Sequence, residues 1–194
     1  MKTAQVMLES VSTIGFGRNH DTPKLEKESP ADYAVRTWRQ KAHTDPEGTV
    51  IIPANFFKNC LTAAAGYMSE KIKGKNNKTW TQKFKSGVLV PEDLSLGVRL
   101  EDMDCVRLFL PADGKPGGKV RVWKMFPILH KWRGLVTFYI LDDIITKDIF
   151  LKTLGEAGKF IGLGFYRPSN NGTWGRFGIQ ANGKGVPVCK WEEP

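Results

Sequence analysis

The residues best suited to chemistry lie in the segment Gly162–Phe177, which combines glycines, arginines and aromatic side chains. Glycine permits positive φ and a close approach of the backbone, so that N–H groups can face an anion. Arginine contacts phosphate in a bidentate manner, and aromatic rings offer surfaces on which bases stack. The candidate binding residues here are Gly162, Gly164, Tyr166, Arg167, Trp174 and Arg176. The pattern predicts a site for a sugar–phosphate backbone, with an ordinary hairpin turned at Asn171-Gly172 as the alternative.

A second cation-rich segment runs from Lys71 to Lys85 and contains no acidic residue. Trp80 and Phe84 are interleaved with its lysines, as in surfaces that bind single strands. The alternative is a solvated loop that binds nothing. From this segment and from two isolated positions, the candidate nucleic-acid-binding residues are Arg18, Lys58, Lys73, Lys75, Lys78, Trp80, Lys83 and Lys85.

His20 and Asp21 are the candidates for catalysis, because an imidazole beside a carboxylate can perform general acid–base chemistry or help to hold Mg²⁺. A single aspartate in a charged loop is, however, more often a turn residue. The sequence contains no P-loop, GxSxG or HExxH motif. We therefore predict a protein that is not an enzyme and that needs no cofactor and no metal ion.

Composition favours a polyanionic partner, since the 194 residues carry a formal net charge of +9. The hydrophobic content of 41% is that of a folded chain. Cys60, Cys105 and Cys189 form no CxxC pair, which argues against a zinc site or a disulfide framework and favours a cytoplasmic protein. No apolar stretch approaches the length needed to span a bilayer, so no membrane partner is expected.

The elements that must position these residues follow from periodicity and from capping and turn signals. Strands are predicted over Gln5–Ile14, Val50–Pro53, Gly87–Pro91, Cys105–Leu110, Val120–Pro127, Gly134–Leu141 and Arg176–Gln180, and helices over Asp32–Lys41, Phe56–Ile72 and Thr146–Gly158. This order predicts a single α+β domain, 1–194, compatible with a ferredoxin-like βαββαβ core. Basic insertions around 18–48 and 71–87, a finger at 111–120 and the C-terminal glycine-rich loop are added to that core.

Three blocks of the sequence resemble the RAMP superfamily of CRISPR-associated proteins, especially the crRNA-binding backbone subunits of effector complexes. They are Ser12–Gly17, Val50–Asn59 and Gly162–Phe177. The first looks like the family's opening strand and glycine turn, and the last like its C-terminal glycine-rich loop. The middle block reads Pro-Ala-Asn-Phe-Phe-Lys where the family usually has Pro-Gly-Ser-Ser-Leu-Lys-Gly. The chain thus resembles a divergent member, of a kind that a phage or mobile element could carry.

The resemblance implies an RRM-like core that binds single-stranded RNA or DNA along a basic surface, with RNA favoured. It also implies partners, either further copies in a head-to-tail filament or other effector-complex subunits. Some family members cut RNA with an aspartate after the first strand, and Asp21 lies near that place. A metal-dependent ribonuclease is therefore one alternative, and a protein-interaction module or inhibitor that mimics an effector subunit is another.

Overall fold

The structure is a computed structural model that describes residues 1–75, 77–112 and 118–193. Its strands are β1 Lys2–Ser10, β2 Ile14–Gly15, β3 Thr49–Ile52, β4 Val88–Leu89, β5 Leu94–Arg99, β6 Asp104–Pro111, β7 Arg121–Leu129, β8 Arg133–Ile140, β9 Phe177–Ile179 and β10 Cys189–Glu192. Its α-helices are α1 Pro30–Thr37, α2 Ala54–Met68, α3 Thr81–Gly87 and α4 Lys147–Glu156. None of the helices in the described residues is long and apolar enough to cross a bilayer.

The central sheet has the strand order β10-β1-β8-β4, with β9 pairing to the same edge of β1 as β10. Every neighbouring pair is antiparallel. Because side chains alternate across a strand, Ala4, Val6 and Leu8 of β1 all reach the core, where each is fully buried. The ring of Phe138 in β8 meets that of Phe150 in α4 edge to face at 5.1 Å. Helices packed on an antiparallel sheet confirm the predicted α+β class.

Two smaller sheets flank this core, with the strand orders β2-β7-β6 and β3-β5. The hairpin of β6 and β7 is the larger, and α1 packs against β7. After α1 a 3-10 turn spans Trp38–Lys41, so the predicted helix Asp32–Lys41 is α-helical only as far as Thr37. The Lys41 ammonium donates a hydrogen bond of 2.7 Å to the carbonyl of Met125, which fixes this turn to β7.

Two predicted boundaries are wrong for local reasons. The opening strand ends at Ser10 rather than Ile14, because the N–H groups of Val11 and Ser12 both donate to the carbonyl of Arg176 and draw the chain out of the sheet. Helix α2 ends at Met68 rather than Ile72, because Ser69 adopts a left-handed conformation with φ of 50°. The predicted cap of α4 at Thr146 is confirmed, since its hydroxyl accepts from the N–H of Ile149.

The basic segment Lys71–Lys85 is not a loop throughout, because α3 begins at Thr81. Phe84 is fully buried and holds this short helix on the core. Strands β5 and β10 are absent from the sequence predictions. The former contains Gly97 at φ +65°, and the latter is short and carries two charged residues, so neither shows a clean strand pattern. Residues 113–117 of the predicted finger at 111–120 lie outside the described residues.

Candidate nucleic-acid interface

The glycine-rich loop Gly162–Phe177 packs closely on itself and on β2. Gly162, Gly164 and Gly175 all have φ of +73°, a conformation that favours glycine. A Cβ atom at Gly175 would overlap the carbonyl oxygen of Leu163, and one at Gly164 would overlap that of Gly15. These glycines are therefore required by contacts between backbone segments within the protein.

Backbone N–H groups of the loop are largely used inside the protein. The N–H of Leu163 donates to the carbonyl of Gly175 at 2.9 Å, and the N–H of Gly175 donates to that of Thr13 at 2.7 Å. The N–H of Phe165 donates to the carbonyl of Gly15 at 2.7 Å. The expectation that the loop's N–H groups face an anion is wrong for these residues, because each already has a carbonyl partner.

Aromatic side chains of the loop form a cluster that is partly exposed. Phe165 stacks on Phe126 of β7 with 4.1 Å between ring centroids. Trp174 is half-buried and covers Gly15, and it meets Tyr166 edge to face at 5.4 Å. Tyr166 is the exposed member, with 41% of its surface accessible. Of the two predicted stacking residues in this loop, Tyr166 thus offers the more accessible ring.

Both arginines of the loop are half-buried and tied to backbone carbonyls. Arg167 donates from Nη1 to Gly164 at 3.1 Å and from Nε to the hydroxyl of Ser169 at 3.0 Å. Arg176 donates from Nε to Lys159 at 3.1 Å and from Nη1 to Thr173 at 2.9 Å. A guanidinium carries five N–H donors, so each keeps donors for a phosphate while it holds the loop in shape.

Two adjoining cavities, which we call the groove, lie between the start of α2 and the glycine-rich loop. Their volumes are about 280 and 140 Å³, and Phe56, Gly164 and Arg167 line both. The larger cavity is also lined by Gly17, His43, Tyr166 and Asn170. Sequence reasoning missed His43, Phe56 and Asn170. No motif surrounds His43, and the signals in the blocks Val50–Asn59 and Gly162–Phe177 come from the basic residue and from the glycines, arginines and other aromatic residues.

Arg167 lines the larger cavity, and a second cation, Arg18, lies near it. Exposed Arg18 follows the lining residue Gly17, and its N–H donates to the carbonyl of Lys41 at 2.9 Å. Burial, with the charge of nearby Lys124, lowers the pKa of Lys41 to about 8. The pKa of His43 is lowered mainly by burial and also by the positive charge of Arg18. The negative charge of Asp93 raises it, but by less. Arg18 therefore lies close enough to the cavity to act on a residue that lines it.

The candidates for catalysis lie beside this region. His20 stacks on Tyr33 of α1, with ring centroids 6.0 Å apart, whereas Asp21 is exposed. Burial and the charge of Lys41 lower the pKa of His20. Among the described residues, no group of three or more histidine, cysteine, aspartate and glutamate side chains could hold a metal ion.

The remaining predicted residues form a separate group around α3. Lys58 lies about 200° around α2 from the groove residue Phe56, and its ammonium donates to the carbonyl of Lys85 at 3.0 Å. Lys83 pairs with Asp142 at 2.8 Å. Trp80 is half-buried against the core, and the candidates Lys73, Lys75 and Lys78 are exposed. The structure thus divides the predicted surface into the groove and a patch around α3.

We expect the depressed pKa of His43 to make the fold sensitive to mild acid. Its folded pKa lies below the ordinary value of 6.5, so the unfolded chain binds more protons. Stability is therefore retained above pH 6.5 and lost as the pH falls from there toward the folded pKa. Urea unfolding at pH 7.5 and at pH 5.5 measures the free energy of unfolding. Between these two pH values it should fall more for the wild type than for His43→Gln. Equal losses in the two proteins would contradict this expectation.

Fold and groove together define an α+β protein with a cationic groove between a helix start and a glycine-rich loop. Among solved structures, the chain is similar to the crystal structure of Cmr6 from Pyrococcus furiosus. The two have 14% sequence identity and a TM-score of 0.47, over 93% of this chain and 99% of that chain. No family model and no curated protein sequence matches the chain. The likeness is distant, so the groove itself must supply the evidence for function.

Proposed function

We propose that this protein binds single-stranded nucleic acid in the groove, without cleaving it. The observation that carries the proposal is a cavity lined by half-buried Arg167 and by the exposed ring of Tyr166, with exposed Arg18 next to the lining residue Gly17. Guanidinium groups bind phosphate oxygens, and aromatic rings stack on bases of any sequence. Within the described part of the chain, no carboxylate pairs with Arg18 or Arg167, so neither positive charge is neutralised by an ion pair.

A single strand fits the groove better than a duplex does. Bases in a duplex are stacked on one another and cannot stack on a ring that lines a cavity, whereas an unpaired strand can splay its bases out. RNA and DNA single strands share these phosphates and bases, and we favour RNA because of the resemblance to crRNA-binding subunits. Assembly with further copies or with other effector subunits remains a prediction from the same resemblance.

The order of the elements supports the finer prediction of a ferredoxin-like core. Along the chain, β1, α2, β4, β8, α4 and then β9 and β10 follow one another as strand, helix, two strands, helix and strand. In the sheet the last strands lie beside β1, and β8 separates β1 from β4. We infer that α1, α3, β3, β5 and the hairpin of β6 and β7 are additions to that core.

The proposal is tested by fluorescence anisotropy with labelled single strands of about 30 nucleotides, in RNA and DNA, against a duplex of the same sequence. We expect both single strands to bind more tightly than the duplex, with affinity falling steeply as salt rises. Prolonged incubation with Mg²⁺ should leave the strand intact. An absence of salt-dependent binding would contradict the proposal, and cleavage that Asp21→Ala abolishes would favour the ribonuclease alternative.

We expect the exposed lysines near α3 to bind phosphates beyond the groove. Replacing Lys73, Lys75 and Lys78 together with glutamine should reduce the slope of log affinity against log salt by about 0.7 for each phosphate that the protein no longer neutralises. A control with the same net charge replaces the exposed residues Lys131, Lys147 and Lys184. A slope that changes equally in both variants would show that only net charge matters.

A further inference from the structure

We propose that the larger cavity of the groove holds one unstacked nucleobase, with Tyr166 as its stacking ring. This inference rests on the proposed function, because the base arrives as part of the bound strand. The cavity's volume of about 280 Å³ lies just below the range of about 300–1,000 Å³ for pockets that hold drug-sized ligands. It therefore suits one planar ring system and is too small for a run of stacked nucleotides.

The rings that line the cavity are held in place by neighbours. His43 meets Phe56 edge to face, with 5.2 Å between ring centroids and an angle of 83°. Phe56 belongs to the first turn of α2, so its backbone is fixed by a helix that packs on the core. Tyr166 lies across the cavity on the glycine-rich loop and is braced edge to face by Trp174. The cavity is thus preformed, which reduces the ordering needed when a base enters.

The backbone of Tyr166 is strained in the conformation that places its side chain at the cavity. Its φ is 60°, in the left-handed region where a residue with a Cβ atom is strained and glycine is not. The surroundings enforce this conformation, because the carbonyl of Tyr166 accepts from the N–H of Trp174 at 3.0 Å and packs tightly against Gly172. Glycine at this position would relieve the strain, whereas tyrosine adds a ring that packs against Phe165 and Trp174 and also lines the cavity.

Polar groups of the cavity match the edge of a base. Burial and the charge of Arg18 hold the pKa of His43 below its ordinary value, so the imidazole is neutral at pH 7 and offers one donor and one acceptor. The amide of Asn170 also offers both. Bases present donors and acceptors side by side on their Watson–Crick edges, which single strands leave free. His43 and Asn170 can therefore hydrogen-bond to the base that Tyr166 stacks on.

The experiment compares a natural single strand with an abasic strand of the same length, which keeps the phosphates and lacks the bases. Wild type should bind the natural strand more tightly, and Tyr166→Gly should reduce that preference about tenfold while leaving affinity for the abasic strand unchanged. Tyr166→Gly relieves strain but also removes ring contacts with Phe165 and Trp174, so its melting temperature is measured to confirm that the variant is folded. Phe56→Leu is a second variant, which keeps an apolar side chain on α2. It should also reduce the preference for the natural strand.

Tyr67→Ala is the matched control, because Tyr67 is an exposed ring 11 residues beyond Phe56 on α2, about 16 Å along the helix axis. It should keep the full preference for the natural strand. An undiminished preference in both Tyr166→Gly and Phe56→Leu would overturn the base pocket and leave the proposed function standing. Equal affinity of the wild type for the natural and the abasic strand would also overturn the base pocket and leave the proposed function standing. Failure of wild type to bind either strand would overturn the proposed function together with the pocket.

Discussion

Replacing Gly175 with alanine should lower the free energy of unfolding by at least about 3 kcal/mol. Two effects add at this position. Its φ of +73° is strained for a residue with a Cβ atom, and that atom would overlap the carbonyl oxygen of Leu163. Both sides of this contact are backbone, so no side chain can rotate away. The loop would have to open, breaking the hydrogen bonds that join Leu163 to Gly175 and Gly175 to Thr13.

Alanine variants of two other glycines separate the effect of backbone strain from the effect of steric overlap. Gly185 has φ of +74°, and a Cβ atom added there would meet no atom within 4 Å, so Gly185→Ala measures backbone strain alone and should cost about 1 kcal/mol. Gly183 has open space and does not adopt a left-handed φ, so Gly183→Ala should be close to neutral. Urea unfolding of the three variants should rank them with Gly175→Ala the most destabilised. Equal effects at Gly175 and Gly185 would show that the loop does not pack as described.

The largest effect on binding is expected from Arg18→Glu. Arg18 is exposed, its charge acts on His43 in the groove, and its backbone N–H bond to Lys41 does not depend on the side chain. Loss of one charge-assisted hydrogen bond to phosphate costs about 2 kcal/mol, which raises Kd about thirtyfold. Anisotropy titrations at a fixed salt concentration of about 0.15 M, where the Debye length is about 8 Å, measure this change directly.

Lys184→Glu is the control for Arg18→Glu, because it changes the net charge equally at an exposed position in the turn between β9 and β10. We expect it to raise Kd no more than about twofold, since exposed charges beyond a Debye length are screened. A similar rise in Kd for the two variants would mean that binding depends on the overall charge of the protein and that the strand has no defined path through the groove.

Elements with strong local signals could be predicted from the sequence. The helix after Thr146 begins at a capping hydroxyl, and the apolar run that forms β8 is β-branched and aromatic, so local chemistry is sufficient in both cases. Ser69 is different, because serine rarely adopts a positive φ and nothing in the sequence indicates that α2 stops there. Boundaries that capping chemistry sets can therefore be predicted, whereas a boundary without a local signal cannot.

The candidate site could be predicted only in part, for a physical reason. Tyr166 and Arg167 belong to a segment whose composition is itself a signal, whereas His43 and Phe56 reach the groove through the packing of distant elements. The composition of the loop suggests that its glycines bring the backbone near a ligand. In the structure they bring it near other backbone, and a single sequence does not distinguish these two uses of a missing side chain.

The position of β1 in the central sheet has a consequence for synthesis of the chain. Lys2 pairs with Ile140 and Thr3 with Glu192, so the partners of the first strand come from β8, β9 and β10. Such distant pairings fold slowly, because a long loop must close before any contact forms. During translation, β1 therefore remains unpaired, with its apolar face uncovered, until β8 has left the ribosome. This protein completes its core only after most of it has been made, and in that interval the first strand is open to aggregation and to chaperones.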